Sequence, residues 1–321
     1  GVDPSSVDPA SVRVFTGGGL ALETDPTVPR PDWMTECTIA VEGDGDGTFD
    51  AGDLVAFYAV GGDAWSDELG IESPELMYHA NTFTGTAVYW MTWESDGTPF
   101  ADPPLRMAED DLQNDPSPLA VDDYRARAHY EDNPYEYPLG TGANFYMYEM
   151  KRRTPEHRYF HERLTHVVTD STGILRARVD GNSSDYLVYP DHVVYFYLNN
   201  VEAYLGEWDG YADLIFEADG LPFRDYLPDE PGDDYNTFDV FVARADEDHE
   251  YDNVWIDWFE FKYWRNLWAD MDSQDEVQDD QLAFGSSGRS GVLEYSLDGF
   301  ETDEVAVYKI VDRYTVRTVP G

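Results

Sequence analysis

Apolar and polar positions along this chain alternate with a period of two over short runs, and few stretches carry the 3.6-residue spacing of an amphipathic helix. Residues 54–60, 86–93, 187–198 and 254–264 are rich in Val, Tyr, Phe, Trp and Thr, and two later runs, 293–297 and 305–311, read the same way. Such residues suit a pleated, half-buried surface. Turn signals separate the runs: Gly17-Gly18-Gly19, Gly61-Gly62, Asn199-Asn200, Asp209-Gly210 and Asp298-Gly299. The pattern predicts a mostly β protein built of β-sandwich, jelly-roll-like modules with few short helices. Residues 119–131, opened by Asp122-Asp123, are a weak helix candidate, and 158–165 fits a helix or a strand. The run at 254–264 is apolar on both alternations: Val254, Ile256 and Trp258 on one, Phe259, Phe261 and Tyr263 on the other. That predicts a strand covered on both sides. Asp257 interrupts it and should have a partner, because a lone buried carboxylate is costly.

With 321 residues the chain suggests two or three domains. Residues 98–118 mix Pro, Asp and Gln without periodicity and read as a long loop. Breaks near 150–157 and in the acidic run 269–281 divide the chain into an N-terminal β-rich module, 1–155, a jelly-roll-like sandwich, 156–269, and C-terminal strands, 270–321. No stretch approaches 18 uninterrupted apolar residues, which excludes a transmembrane helix. Residues 1–10 have no basic flank or apolar run, so any signal peptide is expected to be missing from this sequence, and Val319-Pro320 reads as a linker.

Charge changes the picture. The formal net charge is −46, which repels nucleic-acid backbones and anionic membranes. The basic residues are mostly arginine, with Lys151, Lys262 and Lys309 the only lysines. An aromatic content of 15% argues against a disordered acidic chain. The carboxylates then form a surface suited to high salt, the main reading, or serve divalent cations. The lone cysteine, Cys37, excludes an internal disulfide and a cysteine zinc site, and it reads as a buried structural thiol.

The sharpest motif runs from Glu42 to Asp53. Calcium loops place oxygen ligands at positions 1, 3, 5, 7, 9 and 12, with glycine at 6. Here those positions are Glu42, Asp44, Asp46, the Thr48 carbonyl, Asp50 and Asp53, with Gly47 at the sharp turn and Phe49 at the apolar eighth position. The flanks read as strands, so this is a calcium loop outside an EF-hand, or an acidic turn. Other constellations are weaker. His157 and His161, with Glu162 and His166 following, suit a metal only on a helix. Asp257 with Glu260, or Asp233 with Asp234, could be drawn as a glycosidase pair, and nothing raises one pair over another. Asn182-Ser183-Ser184 fits a glycosylation acceptor. No phosphate loop or nucleophile elbow is present; Gly17-Gly18-Gly19 lacks the Lys that follows in the former.

Three stretches taken in order carry a resemblance. They are Asp46-Gly47-Thr48-Phe49-Asp50-Ala51-Gly52-Asp53 with the strand to Tyr58 and the aromatic Tyr89-Trp90-Met91-Thr92-Trp93; 190–199 with Trp208-Asp209-Gly210 and Asn236-Thr237; and 254–265 with Leu297-Asp298-Gly299-Phe300 and 305–312. The chain resembles the region that precedes the peptidase domain in gingipain-family cysteine peptidases and the related sortases of type IX secretion. The resemblance implies non-catalytic accessory β-modules of a secreted peptidase, scaffolding or shielding a peptidase-like domain that follows in the same polypeptide. It implies an extracellular or cell-surface location, with the cell surface or secretion machinery as further partners. Cys37 does not match the family's nucleophile, so no catalytic residue is expected here. A second reading is a carbohydrate- or cell-surface-binding sandwich, which a flat row of exposed aromatics would favour and their burial would dismiss.

Overall fold

Nearly all regular structure in the computed structural model is strand, as the period-two pattern requires. It describes residues 3–19, 27, 33–43, 46–68, 78–81, 84–94, 98–112, 116–132, 135–137, 144–152, 156–226, 235–243, 252–269, 281–302 and 305–320. The first strands are β1 Arg13–Thr16, β2 Thr35–Cys37, β3 Ile39–Glu42, β4 Leu54–Phe57, β5 Ala64–Trp65, β6 Tyr78–His79, β7 Tyr89–Thr92 and β8 Ala108–Glu109. Then come β9 Leu119–Val121, β10 Asp123–Tyr130, β11 Tyr135–Tyr137, β12 Asn144–Tyr146, β13 Tyr148–Arg152, β14 Glu156–Glu162 and β15 Thr172–Gly181. They are followed by β16 His192–Leu198, β17 Val201–Trp208, β18 Asp213–Pro222, β19 Asn236–Ala243, β20 Asp252–Asn266 and β21 Leu293–Tyr295. The last two are β22 Val307–Ile310 and β23 Val316–Val319.

The chain forms two compact units, one of Gly1–Gln113 with Glu304–Gly321 and the other of Asn114–Asp303. The expected boundary at 155 falls inside the second unit, because β20 pairs with β10 and β13 on one side of it and with β15 on the other. The expected C-terminal module is shared out: β21 runs parallel to β9 in the second unit, and β23 runs parallel to β8 in the first.

In the first unit, β1 lies between β2 and β7, and β3 with β4 makes an antiparallel hairpin. Val7, Val12, Val14, Cys37 and Ile39 form its core, against which Val41, Phe49, Val55, Phe57 and Tyr314 pack. Two short 3-10 turns, Pro4–Ser6 and Pro9–Ser11, precede β1, and the carboxylates of Asp3 and Asp8 accept the N–H groups of Ser5 and Ala10.

The second unit is a sandwich. One sheet has the order β10-β20-β15-β18, with β13 also on β20, and the other has β14-β19-β16-β17. Apart from β13, which adds a fifth strand to the first sheet, these strands interleave in chain order with jelly-roll connectivity. Phe259 of the first sheet meets Phe238 and Phe160 of the second at ring distances of 4.8 and 5.3 Å, and Phe196 meets Phe216 at 4.4 Å. Residues 119–131 are β9 and β10, not helix. Tyr124 and Ala126 are buried and alternate with the half-buried Arg125 and Arg127, a period of two that the acidic opening masks. Residues 156–162 are strand as well.

The apolar run in β20 is re-phased. Pairing with β15 passes from Arg178 opposite Trp258 to Val179 opposite Ile256, so Asp257 is the extra residue of a β-bulge. Val254, Ile256, Phe259, Phe261 and Tyr263 therefore all reach the same core. Trp255 and Trp258 lie on the other face, Trp255 buried against Tyr146 at 4.9 Å and Trp258 under the Arg176 guanidinium at 5.3 Å. The strand is covered on both sides, as its sequence predicts, but the bulge brings Val254 and Ile256 to the same face as Phe259, Phe261 and Tyr263 instead of the opposite one.

Phe259 is fully buried, whereas Ile215 on β18 is 48% exposed. Phe259→Ala is expected to cost about 3–5 kcal/mol in urea unfolding, and Ile215→Ala under about 1 kcal/mol. Equal costs would contradict this core assignment.

Candidate functional site

The loop between β3 and β4 is closed at its base by pairing of Glu42 with Leu54. Gly43, Gly47 and Gly52 have φ of 89°, 78° and 113°. The loop therefore makes sharp turns that side chains with a Cβ resist. Gly43 is needed for a second reason: a Cβ there would run into the Asp53 carboxylate. The Asp46 carboxylate accepts the Thr48 N–H at 2.9 Å, and that of Asp53 accepts the Asp50 N–H at 2.8 Å. Phe49 packs on the core, and its N–H donates to the Val7 carbonyl at 3.2 Å. Glu42, Asp46, Thr48, Asp50 and Asp53 thus belong to one tight hairpin loop, while Asp44 lies outside the described residues. Among the described residues, no group of three or more His, Cys, Asp or Glu side chains is already gathered for a metal.

In the second unit, ionisable side chains are drawn inside. His192 is fully buried. Its Nδ1 lies 2.7 Å from Asp252, and its Nε2 lies 2.9 and 3.2 Å from the carbonyls of Gly210 and Ser183. Both nitrogens face acceptors, so the geometry suits the doubly protonated ring. Burial disfavours that charge, but Asp252, Asp191 and the Gly210 carbonyl together outweigh it and raise the pKa. Gly181 makes room, since a Cβ there would meet Nε2 of His192 and the Trp208 indole. His129 repeats the device, 3.0 Å from both Glu260 and Glu131, and is raised against the same burial penalty. Asp257 finds its expected partner: Arg178 stands 3.0 Å away. Burial nevertheless pushes Asp257 up to about 7. Burial alone does the same to Glu162, to about 7.

Several sequence candidates are placed apart from any such site. Asp257 and Glu260 are 7% and 2% exposed and engaged by Arg178 and His129, unlike carboxylates lining a cleft. Asp233 and Asp234 lie outside the described residues. His157 and His161 are on a strand with Tyr159 between them, so they share a face without converging on a metal, and His166 stacks on Trp268. The Ser183 hydroxyl accepts the Asn253 N–H at 3.0 Å. The Gly18 carbonyl accepts from Arg313. Cys37 is 2% exposed and burial raises its thiol pKa, which opposes the thiolate a nucleophile needs. The sequence reading missed the His192–Asp252 pair and the row of rings on β14, although the His-x-Tyr-x-His spacing at 157–161 was legible as one strand face.

A jelly-roll sandwich accompanied by a smaller β unit defines the class of fold. Among solved structures, the chain is similar to the dimeric latent PorU from Porphyromonas gingivalis, with a TM-score of 0.64 at 14% identity. The match covers 98% of this chain and 26% of PorU, so the chain spans about a quarter of that protein's length. At that identity the likeness is one of fold. No family model and no curated protein matches the sequence. No helix among the described residues is long and apolar enough to cross a membrane.

The raised groups set a pH dependence. Unfolded, Asp257 and Glu162 release their protons near pH 4; folded, they hold them to about 7. The folded state binds more protons in that window, so these groups make stability fall as pH rises from about 4 to 7. His192 and His129 extend the decline above about 6.5, since their folded pKa values are raised. Urea unfolding between pH 4 and 8 at fixed ionic strength is expected to show this fall. Asp257→Asn is expected to flatten the lower limb by up to about 1.4 kcal/mol per pH unit. An unchanged slope would mean that Asp257 ionises normally in the fold.

Proposed function

We propose that the chain is a non-catalytic accessory region of a secreted gingipain-like cysteine peptidase, scaffolding or shielding a peptidase-like domain of the same polypeptide. The observation that carries this reading is the fold match over 98% of the chain to a quarter of PorU, a protein crystallised in a latent form. The order of motifs through the sequence supports the same family. The buried, proton-retaining Cys37 supports a non-catalytic role, and the reading places the chain outside the cell or on its surface, beside the secretion machinery. The purified chain is expected to cleave no unstructured protein substrate in a thiol-dependent way. Cleavage abolished by a thiol-blocking reagent would sink the proposal.

The first unit binds calcium at the β3–β4 loop in this reading, through Glu42, Asp44, Asp46, the Thr48 carbonyl, Asp50 and Asp53. Gly47 with positive φ at the sixth position and Phe49 tucked into the core at the eighth support it. A cation would gather carboxylates that otherwise repel one another, and so stiffen the hairpin. Calcium at 100 times its dissociation constant adds about 2.7 kcal/mol to the state that binds it. A melt in calcium is expected to lie several degrees above one in chelator at matched ionic strength, and Asp46→Ala is expected to erase the difference. An equal gain from monovalent salt alone would reduce the loop to an acidic turn.

A further inference from the structure

Strand β14 forms one edge of the sheet β14-β19-β16-β17, and His157, Tyr159 and His161 alternate along its outer face. The ring of His157 lies 4.2 Å from that of Phe241 on β19, with 17° between planes. Rings so close cannot lie side by side in one plane, so these two are face to face and the plane of His157 stands upright along the strand. Tyr159 is parallel to His157 within 3° at 5.6 Å, and His161 is within 9° of Tyr159 at 6.4 Å. Residues two apart on a strand are displaced along it by about 6.6 Å. The three rings therefore form one nearly continuous wall along β14. One face of this wall looks toward β19, and the other looks off the edge of the sheet.

The wall is accessible and held in place. Tyr159 is 50% exposed, and both histidines are exposed. His157 Nδ1 lies 3.0 Å from each carboxylate oxygen of Asp239, and His161 Nδ1 lies 3.1 Å from the Thr237 hydroxyl. The Nε2 atoms of both rings have no partner among the described residues. Tyr235, tilted 59° to His161 at 5.8 Å, closes one end, with its hydroxyl accepting from Arg163 at 2.7 Å.

We propose that this wall is a binding site for a neutral glycan. A sugar ring offers one flat face of C–H groups to stack on an aromatic plane, and hydroxyls at its rim for the in-plane Nε2 atoms and the Tyr159 hydroxyl. Successive ring centres along the wall suit successive sugar units. The occupant is neutral because a chain of net charge −46 repels anionic sugars and the phosphates of a stacked nucleotide. A protein partner needs roughly 600 Å² or more on each side, whereas the wall is one strand wide. Rings already fixed by Asp239 and Thr237 lose little freedom on binding, which favours a ligand of few contacts. This site is independent of the accessory role.

The experiment uses the whole chain on an array of neutral oligosaccharides with gluco-, galacto-, manno- and fuco-configured units, followed by affinity electrophoresis in gels holding the matching polysaccharide. At least one neutral glycan is expected to retard the chain. Tyr159→Ala is expected to weaken retardation about tenfold or more, a loss of one ring's stacking, with an unchanged melting temperature. Tyr159→Phe keeps the ring and should keep most of the affinity. Tyr186→Ala, at a residue 93% exposed and outside the wall, should change nothing. No binding across the array, retardation untouched by Tyr159→Ala, equal loss in Tyr186→Ala, or a preference for anionic glycans would each overturn the assignment.

Discussion

The bulge at Asp257 is the constraint on which the second unit depends. β20 is its longest strand and the one that β10, β13 and β15 all join. A regular strand would send Val254 and Ile256 to one face and Phe259, Phe261 and Tyr263 to the other. One extra residue brings both groups to the same core, where Phe259 closes on Phe238 and Phe160 of the facing sheet. The bulge also turns the Asp257 carboxylate toward Arg178 on the opposite face. A single backbone irregularity thus lets an aromatic core and a charged outer face share one strand.

That outer face explains how so acidic a chain uses its few cations. Arg176 covers the Trp258 ring and stands 3.7 Å from Glu260, and Arg178 serves Asp257, Asp180 and Asp213 at 3.0–3.7 Å. A guanidinium can stack on a ring and bind carboxylates at once, which an ammonium does less well. The scarcity of lysine is consistent with this use. Where a carboxylate goes inside, as with Glu260 and Asp252, a histidine is placed against it and its pKa is raised. Removing one partner of such a pair is costly because the other is left buried and uncompensated.

Much of the fold was legible in the sequence because strands advertise themselves by alternation and turns by glycine. The runs at 54–60, 86–93, 187–198, 293–297 and 305–311 all contain observed strands. The failures have physical causes. Residues 119–131 looked helical because Asp122-Asp123 resembles a helix start, yet Tyr124 and Ala126 follow the two-residue period of β10. The run at 254–264 is covered on both sides as expected, but its bulge was not legible, because one inserted residue leaves no mark in the pattern. Domain limits were illegible because long-range pairings such as β8 with β23 leave no local mark. At the candidate sites, the glycines and Phe49 of the β3–β4 loop were readable, since turn chemistry is local. The upright wall on β14 was not, because ring orientation depends on Phe241, Asp239 and Thr237 across the sheet.

The same contrast says why the edge of the second sheet is a place for recognition. An edge strand carries backbone groups that invite pairing with another chain, and proteins blunt such edges with charged or awkward side chains. β14 bears Glu156, Arg158 and Glu162 on one alternation and the upright rings of His157, Tyr159 and His161 on the other. The rings stand upright beside their neighbours on β19, as His157 does against Phe241. They leave open a flat aromatic surface for something thinner than a polypeptide. An edge strand that carries charge on one alternation therefore offers, on the other, a flat, pre-set surface on which a small polar ring can stack.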